Sequence, residues 1–324
     1  MAEWQLIKYL TITDARKRIP PLLLITGHLS GLSAQEANMK IAMSGSTGFV
    51  GSYLQTVFAE KGWQVVPLLR GDFVNGIVAL QDKIKGCDAV INLAGAPIAA
   101  RWSEPYKKVL YTSRVPLTQK IVDAMCGLER KPSVFISASG VGVYPAGGPW
   151  TEDDSSCPDD FLGHLARNWE QAALRSQQGG IRTVIFRFGV VLGRGGGALA
   201  KMLPLFRLGL GGVIGSGSQA VSWVHISDLA TALCTAFENV SYQGTYNLCA
   251  PHATTNKGLT RALAHALHRP ALLPVPAFAI RLVFGQGATV LLDGQNVVPK
   301  RLLDAGFHFE FEWIESTLVD LLRV

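Results

Sequence analysis

The chain has no Cys-x-x-Cys pair, and its cysteines, Cys87, Cys126, Cys157, Cys234 and Cys249, are odd in number and widely spaced. That removes the usual spacing of a structural zinc site and gives no disulfide framework, so a reducing, cytoplasmic setting is expected. Charged residues are scarce at 17%, and the 30 lysines and arginines are scattered, with no basic cluster that alternates with aromatics. A net charge of +6 therefore reads as a mild bias toward anionic ligands, with no nucleic-acid partner expected. No membrane span is expected either, because Lys201 and Arg207 break the apolar window 198–215, and Pro274, Pro276 and Arg281 break 270–292. Residues 1–38 lack the basic start, apolar centre and small-residue cleavage site of a secretory leader. They read as an early start or a loosely attached extension, with Met39 just ahead of the first strand. His265 and His268 sit at helical spacing with no third ligand in evidence, so no metal is expected.

What the chain does have is apolar residues, 48% of 324, enough to bury a large core. It also has one informative motif. Residues 40–51, KIAMSGSTGFVG, form an apolar run that breaks into Gly45, Gly48 and Gly51. Glycine at Gly45 lets the chain turn, at Gly48 lets backbone approach phosphate oxygens, and at Gly51 lets helix and strand pack closely. The segment Gly45, Ser46, Thr47, Gly48, Phe49, Val50 and Gly51 is thus a candidate cradle for a dinucleotide pyrophosphate. A helix follows over 53–61, stopped by Gly62, then an apolar second strand over 63–69 that ends at Arg70. A carboxylate at that strand end would accept from the 2′-hydroxyl of NAD, whereas a guanidinium pairs with the 2′-phosphate of NADP. Arg70 favours NADP over NAD, and Asp72 two residues later pulls the other way. A third strand, within 87–94, runs into the turn Leu93, Ala94 and Gly95, which should line the cofactor. The expected architecture is α/β, a doubly wound parallel sheet of about seven strands with helices on both faces.

From Lys131 onward the chain resembles a known family. The segment PSVFISASGVGVYP, residues 132–145, is similar to the strand of extended short-chain dehydrogenase/reductases that carries a serine and ends in a Val-Tyr-Gly-like turn. With the glycine turn and NLAG at 92–95, it makes three motifs in the right order. Residues 188–230, the stretch HALHRPALLPVP and the tail LLDGQNVVPKRLLDAGFHF resemble one subgroup, the "epimerase family" proteins of the NAD-dependent epimerase/dehydratase superfamily, with their characteristic C-terminal domain. The resemblance covers residues 39–324. It implies a Rossmann domain over 39–230, to which 193–221 add part of a substrate lobe, and a smaller mixed α/β C-terminal lobe over 245–324.

The resemblance also implies a catalytic Asn, Ser, Tyr, Lys tetrad, and here the chain departs from it. Tyr and Lys four apart share a helix face, where the ammonium lowers the phenol pKa from about 10. In the corresponding helix, 161–174, counting back from Glu170 puts Leu162 and Ala166 at the two positions, and a shift of one gives Phe161 and Leu165. Neither register supplies a phenol or an amine. SRVPLT at 113–118 puts Arg114 where the asparagine would be, and the serine is Ser139, which also borders the cofactor.

Three readings stay open. In the first, an NADP-dependent oxidoreductase or epimerase has moved its acid, with Tyr144 as donor, Ser139 orienting a carbonyl oxygen, and Arg114 or His225 stabilising developing negative charge. Tyr144 as a strand cap and His225 as a buried core histidine are the plain alternatives. Its substrate would be a small molecule, anionic or nucleotide-sugar-like, met by Arg187, Lys201, Gln219, Trp223 and His225. Trp223 equally suits a seam between sheet and lobe, and the Gly-rich loop 193–197 equally suits a mobile connection. In the second, a silent NADP-binding sensor contacts a protein partner; some similar proteins have been labelled cell-division inhibitors. The third is a structural α/β protein with a vestigial site.

Overall fold

Parallel strands alternating with helices dominate the computed structural model, which describes residues 38–323. Residues 1–37, nearly all of the segment read above as an extension, lie outside the described residues. The chain runs through β1 (Lys40–Ser44), β2 (Gln64–Leu68), β3 (Ala89–Asn92), β4 (Val134–Gly140), a short β5 (Gly147–Trp150) and β6 (Arg182–Phe188). It continues through β7 (Val190–Leu192), β8 (Ala220–Val221), β9 (Trp223–His225), β10 (Gly244–Leu248), β11 (Thr254–Thr255) and β12 (Gln295–Val297). Six of these form one sheet in the order β10-β6-β4-β3-β1-β2, every neighbouring pair parallel. The expected count of about seven strands is corrected to six, because the chain between β2 and β3 forms two short helices, Arg70–Val74 and Ile77–Ile84. β7 does not join the sheet either and pairs with β9.

The near-continuous apolar strands follow from helices on both faces. Ile41 and Met43 of β1, Ala89 and Ile91 of β3 and Ile136 of β4 face one core, together with Leu54 and Phe58 of helix Phe49–Glu60 and Leu229 and Leu233 of helix Ile226–Glu238. The alternate residues Ala42, Val90, Phe135 and Ile185 face the other, against Ile121 and Val122 of helix Val115–Cys126. A strand's two-residue period sends every second side chain across the sheet, so both faces must be apolar when both are covered. Pro67 lacks a backbone donor and is tolerated because β2 is an edge strand.

A smaller C-terminal lobe has its own core. Leu199 and Phe206 of helix Gly197–Arg207, Leu259 and Leu263 of helix Asn256–Leu267, and Leu318 and Leu321 of helix Ile314–Leu322 gather around Trp223, which is fully buried. β8 pairs antiparallel with β11, and β12 pairs parallel with β5. The segment after β3 is tied to this lobe: the Trp102 backbone donates to the Phe284 carbonyl at 3.1 Å, and Arg101 Nη1 to the Leu282 carbonyl at 2.6 Å. Among the described residues no helix is long and apolar enough to cross a membrane.

Candidate functional site

The sheet order reverses at β1, whose chain successors lie on opposite sides, β2 on one and β3 on the other. Such a reversal opens a crevice at the carboxyl ends of the strands, because the following connections diverge to opposite faces. The glycine turn lies there. Gly45 has φ of +72°, and a Cβ on it would meet the Leu93 carbonyl carbon at 2.8 Å and the Ala94 nitrogen at 2.9 Å. The first turn therefore presses against the second, Leu93 to Gly95. The Gly48 backbone donates to the Gly45 carbonyl at 3.0 Å, and Gln55 Nε2 pins the Ser46 carbonyl at 2.8 Å.

Helix Phe49–Glu60 begins from Gly48 with no side-chain cap and no acidic residue in its first turn. Its first N–H groups and positive dipole end are thus left for an anion. A Cβ at Gly51 would fall on the Gly45 carbonyl oxygen and within 2.8 Å of Ser46 Cα. Gly to Ala inside an open helix would stabilise by about 1 kcal/mol. Here the overlap reverses the sign, and Gly51→Ala is expected to destabilise the protein by about 1–3 kcal/mol. Urea unfolding checks this, and an unchanged midpoint would mean that the turn opens without cost.

A buried polar chain fixes both turns from below. Ser44 Oγ donates to Asn92 Oδ1 at 2.6 Å and accepts from the Ala94 backbone at 3.3 Å, while Asn92 Nδ2 and Trp169 Nε1 donate to Thr118 Oγ1 at 2.8 and 3.0 Å. Ser44, Asn92 and Thr118 are each fully buried. Sequence reasoning missed these positioning residues, although an asparagine ending an otherwise apolar strand was a usable signal, since an interior amide needs partners.

Arg70 follows β2, whose last residue Leu68 stands opposite Ser44, so the arginine is beside the glycine turn. It is exposed, and among the described residues its guanidinium has no hydrogen-bond or ion-pair partner. Asp72 does not compete for the ribose position in the way the sequence suggested, because its Oδ2 accepts from the Leu69 backbone at 2.7 Å and caps helix Arg70–Val74.

Phe49 gains an explanation with the loop 193–197. Cβ atoms on Gly193 and Gly197 would meet the Phe49 ring at 2.7 and 2.8 Å, and one on Gly196 would overlap it. The ring occupies side-chain space at all three, with Ile226 also against Gly193 and a φ of +63° at Gly197, and it links the loop to the start of the anion-facing helix.

The catalytic candidates come together, but in the interior. Ser139 stands opposite Arg187 across β4 and β6. Arg187 Nε and Nη2 each donate to Glu170 at 2.8 Å, Arg187 Nη1 donates to Tyr144 Oη at 2.6 Å, and Ser139 Oγ donates to Glu170 Oε1 at 2.7 Å. Tyr144 Oη in turn faces the Thr151 carbonyl at 2.9 Å and Asn247 Oδ1 at 3.0 Å. Burial pulls the Arg187 guanidinium toward neutrality, but hydrogen bonds and the charge of Glu170, then Tyr144, outweigh it and raise its pKa. Three expectations are corrected. Tyr144 is 1% exposed and burial pushes its phenol pKa up, so it is a sealed structural group and no proton donor to a cleft. Arg187 is held bidentately by a carboxylate and is not free for a diphosphate. Ser139 gives its one proton to Glu170 and so has none to give a carbonyl oxygen. On helix Phe161–Leu174, Leu165 and Ala166 are buried and Leu162 packs near Gly142, so neither register supplies chemistry.

Arg114 is different. Its Nη2 donates to the Ala96 carbonyl at 2.9 Å, Nη1 to the Leu110 carbonyl at 3.3 Å, and its plane lies 5.3 Å from the Trp169 ring. A Cβ on the exposed Gly95 would meet the guanidinium at 3.0 Å. No carboxylate among the described residues pairs with it, and burial, opposed weakly by Tyr106, lowers its pKa to about 10. A desolvated cation without an anion, directly behind the second turn, favours negative charge in the crevice.

The substrate-side candidates separate. Lys201 is exposed on helix Gly197–Arg207. Gln219 staples the lobe, its Nε2 donating to the Ile214 and Leu291 carbonyls at 3.0 Å each. Trp223 fills the lobe core, with Nε1 donating to the His252 carbonyl at 3.2 Å, so a stacking role is corrected to packing. His225 caps helix Ile226–Glu238, its Nδ1 accepting from the Ser227 backbone at 3.1 Å. Burial lowers its pKa to about 4, with Asp320 opposing, so it is neutral near pH 7 and supplies no positive charge. Among the described residues no group of three or more His, Cys, Asp or Glu could hold a metal ion.

Comparison with known proteins agrees with the fold. Residues 41–249 match the NAD dependent epimerase/dehydratase family, and 275–321 match a domain of unknown function, DUF1731. The chain is 40% identical over 293 residues to mouse epimerase family protein SDR39U1, covering 88% of this chain and 100% of that protein. It is 37% identical over 311 residues to the Arabidopsis thaliana SDR39U1 homolog named as chloroplastic, covering 90% of this chain and 89% of that one. A crystal structure of human SDR39U1 with NADPH superimposes with a TM-score of 0.81 at 36% identity, covering 88% of this chain and 99% of that one.

Proposed function

The chain belongs to the NAD dependent epimerase/dehydratase family, and from that premise we propose that it binds NADPH at the β1/β3 crevice and serves as an NADPH-dependent oxidoreductase or epimerase acting on an anionic carbonyl or nucleotide-sugar-like compound. The observation that carries the cofactor assignment is the unpaired guanidinium of Arg70 beside a turn whose glycines leave the space a phosphate backbone needs. Gly45 to Gly51 and the uncapped helix start would hold the pyrophosphate, Arg70 the 2′-phosphate, and Leu93 to Gly95 the nicotinamide side. When bound, NADPH supplies a hydride to a carbonyl or receives one from the matching alcohol.

Within this reading Arg114 stabilises negative charge on the substrate oxygen. Its anchoring carbonyls at Ala96 and Leu110 hold it in place, so no reorganisation is needed as charge develops. Ser139, its proton committed to Glu170, keeps lone pairs available to accept from a ribose or substrate hydroxyl. A second reading, a binding protein without turnover, is favoured by the sealing of Tyr144 and the apolar residues at both tetrad positions of helix Phe161–Leu174. All five cysteines are free, which suits a reducing compartment such as the cytoplasm.

Thermal melting with NADPH, NADH or neither tests the assignment. At 100 times Kd a ligand that binds only the native state stabilises it by about 2.7 kcal/mol, so NADPH should raise Tm by about 5 °C or more. NADH at the same concentration should give a clearly smaller rise. No rise with either dinucleotide would overturn the reading, and a rise with NADPH but no change in its absorbance across carbonyl and nucleotide-sugar substrates would select the second reading.

A further inference from the structure

The outer face of the C-terminal lobe carries a groove that the dinucleotide crevice does not use. It is a shallow, open groove of about 620 Å³. Lys257, Arg261 and His265 stand one turn apart along helix Asn256–Leu267, and His268 and Arg269 follow at its end. All five are exposed, and no acidic residue lines the groove. Among the described residues none of these side chains has a carboxylate partner or a hydrogen bond. Lys257 and Arg261, four apart on one helix face, repel each other, a cost to the free protein that a bound anion would remove.

The backbone adds an independent sign. His268 has φ of +51° and is the one non-glycine residue in the left-handed region among the described residues. Its N–H donates to the His265 carbonyl at 3.0 Å and that of Arg269 to the Ala264 carbonyl at 3.0 Å, the helix-ending geometry in which glycine is normally found. From this left-handed position the His268 side chain lines the groove. Val213 and Leu272 supply apolar surface on the lining.

We infer that this groove is a second ligand site, for a small organic phosphate or diphosphate whose anionic end meets Arg261, His268 and Arg269 and whose body rests on the apolar lining. Calorimetric titration of the full chain with inorganic pyrophosphate, with saturating NADPH present to fill the crevice, tests it. Saturable binding is expected in the millimolar range or tighter. Arg261→Glu combined with Arg269→Glu should weaken it by about tenfold or more, while NADPH affinity changes less than about twofold, since charge-assisted contacts to phosphate are the ones removed. His268→Gly should weaken pyrophosphate binding while Tm holds or rises, because glycine relaxes the left-handed position; this variant serves if the double charge reversal fails to fold. Absence of saturable binding, equal affinity in the variants, or pyrophosphate binding that disappears when NADPH is added would each overturn the proposal.

Discussion

Arg70→Asp should weaken NADPH binding by about 10- to 100-fold and leave NADH binding unchanged or slightly tighter, measured by fluorescence titration. The magnitude follows from losing a charge-assisted, bidentate guanidinium–phosphate contact, worth about 1.5–3 kcal/mol, and placing a like charge near the same phosphate. An aspartate at that point accepts from the 2′-hydroxyl that NADH carries instead. The fold should not suffer. Arg70 is exposed, breaks no ion pair when replaced, and begins a helix, where an acidic residue suits the positive dipole end. Asp72 keeps capping the Leu69 backbone in the variant, so the helix start survives. Equal losses for both dinucleotides would show that Arg70 does not read the 2′-phosphate.

Glu170→Ala should destabilise the protein by about 3–5 kcal/mol, lowering Tm by roughly 10 °C. Glu170 and Arg187 side chains are 10% and 13% exposed, so the variant leaves a guanidinium in the interior with only the Tyr144 hydroxyl for a partner. Ser139 loses its acceptor in the same step. Replacing both members, Glu170→Leu with Arg187→Met, should recover most of that loss, because the pair's mutual attraction is largely offset by the cost of desolvating two charges. A single variant within about 1 kcal/mol of the parent would mean that water reaches the network and that the pair contributes no more than a surface ion pair does.

The two predictions probe features of unequal legibility. The glycine turn and Arg70 were readable because they are local: a strand, a tight turn and a helix start within a dozen residues leave few other solutions. The apolar strands were readable for the same reason, since a continuous apolar run is a local signal, whereas helix Phe161–Leu174 was placed by the family resemblance. The interior network was not. Glu170 served the sequence only as a landmark for counting, yet it joins Ser139 from 31 residues away, and Tyr144 meets Asn247 across 103. Tyr144 looked like a relocated acid because nothing in its sequence neighbourhood shows that Arg187 and Asn247 close over it. For His225 and Trp223 the sequence left a buried histidine and a seam filler open beside the substrate roles, and β9 is buried throughout. The sheet came out one strand short because the residues between β2 and β3 pack as helices against Leu68 and Ile121.

The Phe49 ring, enclosed by Gly193, Gly196 and Gly197, has a consequence for how sequences in this fold can drift. At Gly196 the nearest atoms are all of that ring, whereas Gly193 also meets Ile226 Cγ2 at 2.8 Å and Gly197 has a φ of +63° that itself favours glycine. Where residue 49 becomes small, position 196 is released to accept a larger residue, and where an aromatic persists, that codon far down the chain is bound to it. Substitution at residue 49 and at position 196 is therefore a joint event, and the order in which such changes can accumulate is fixed: the ring must shrink before position 196 can grow.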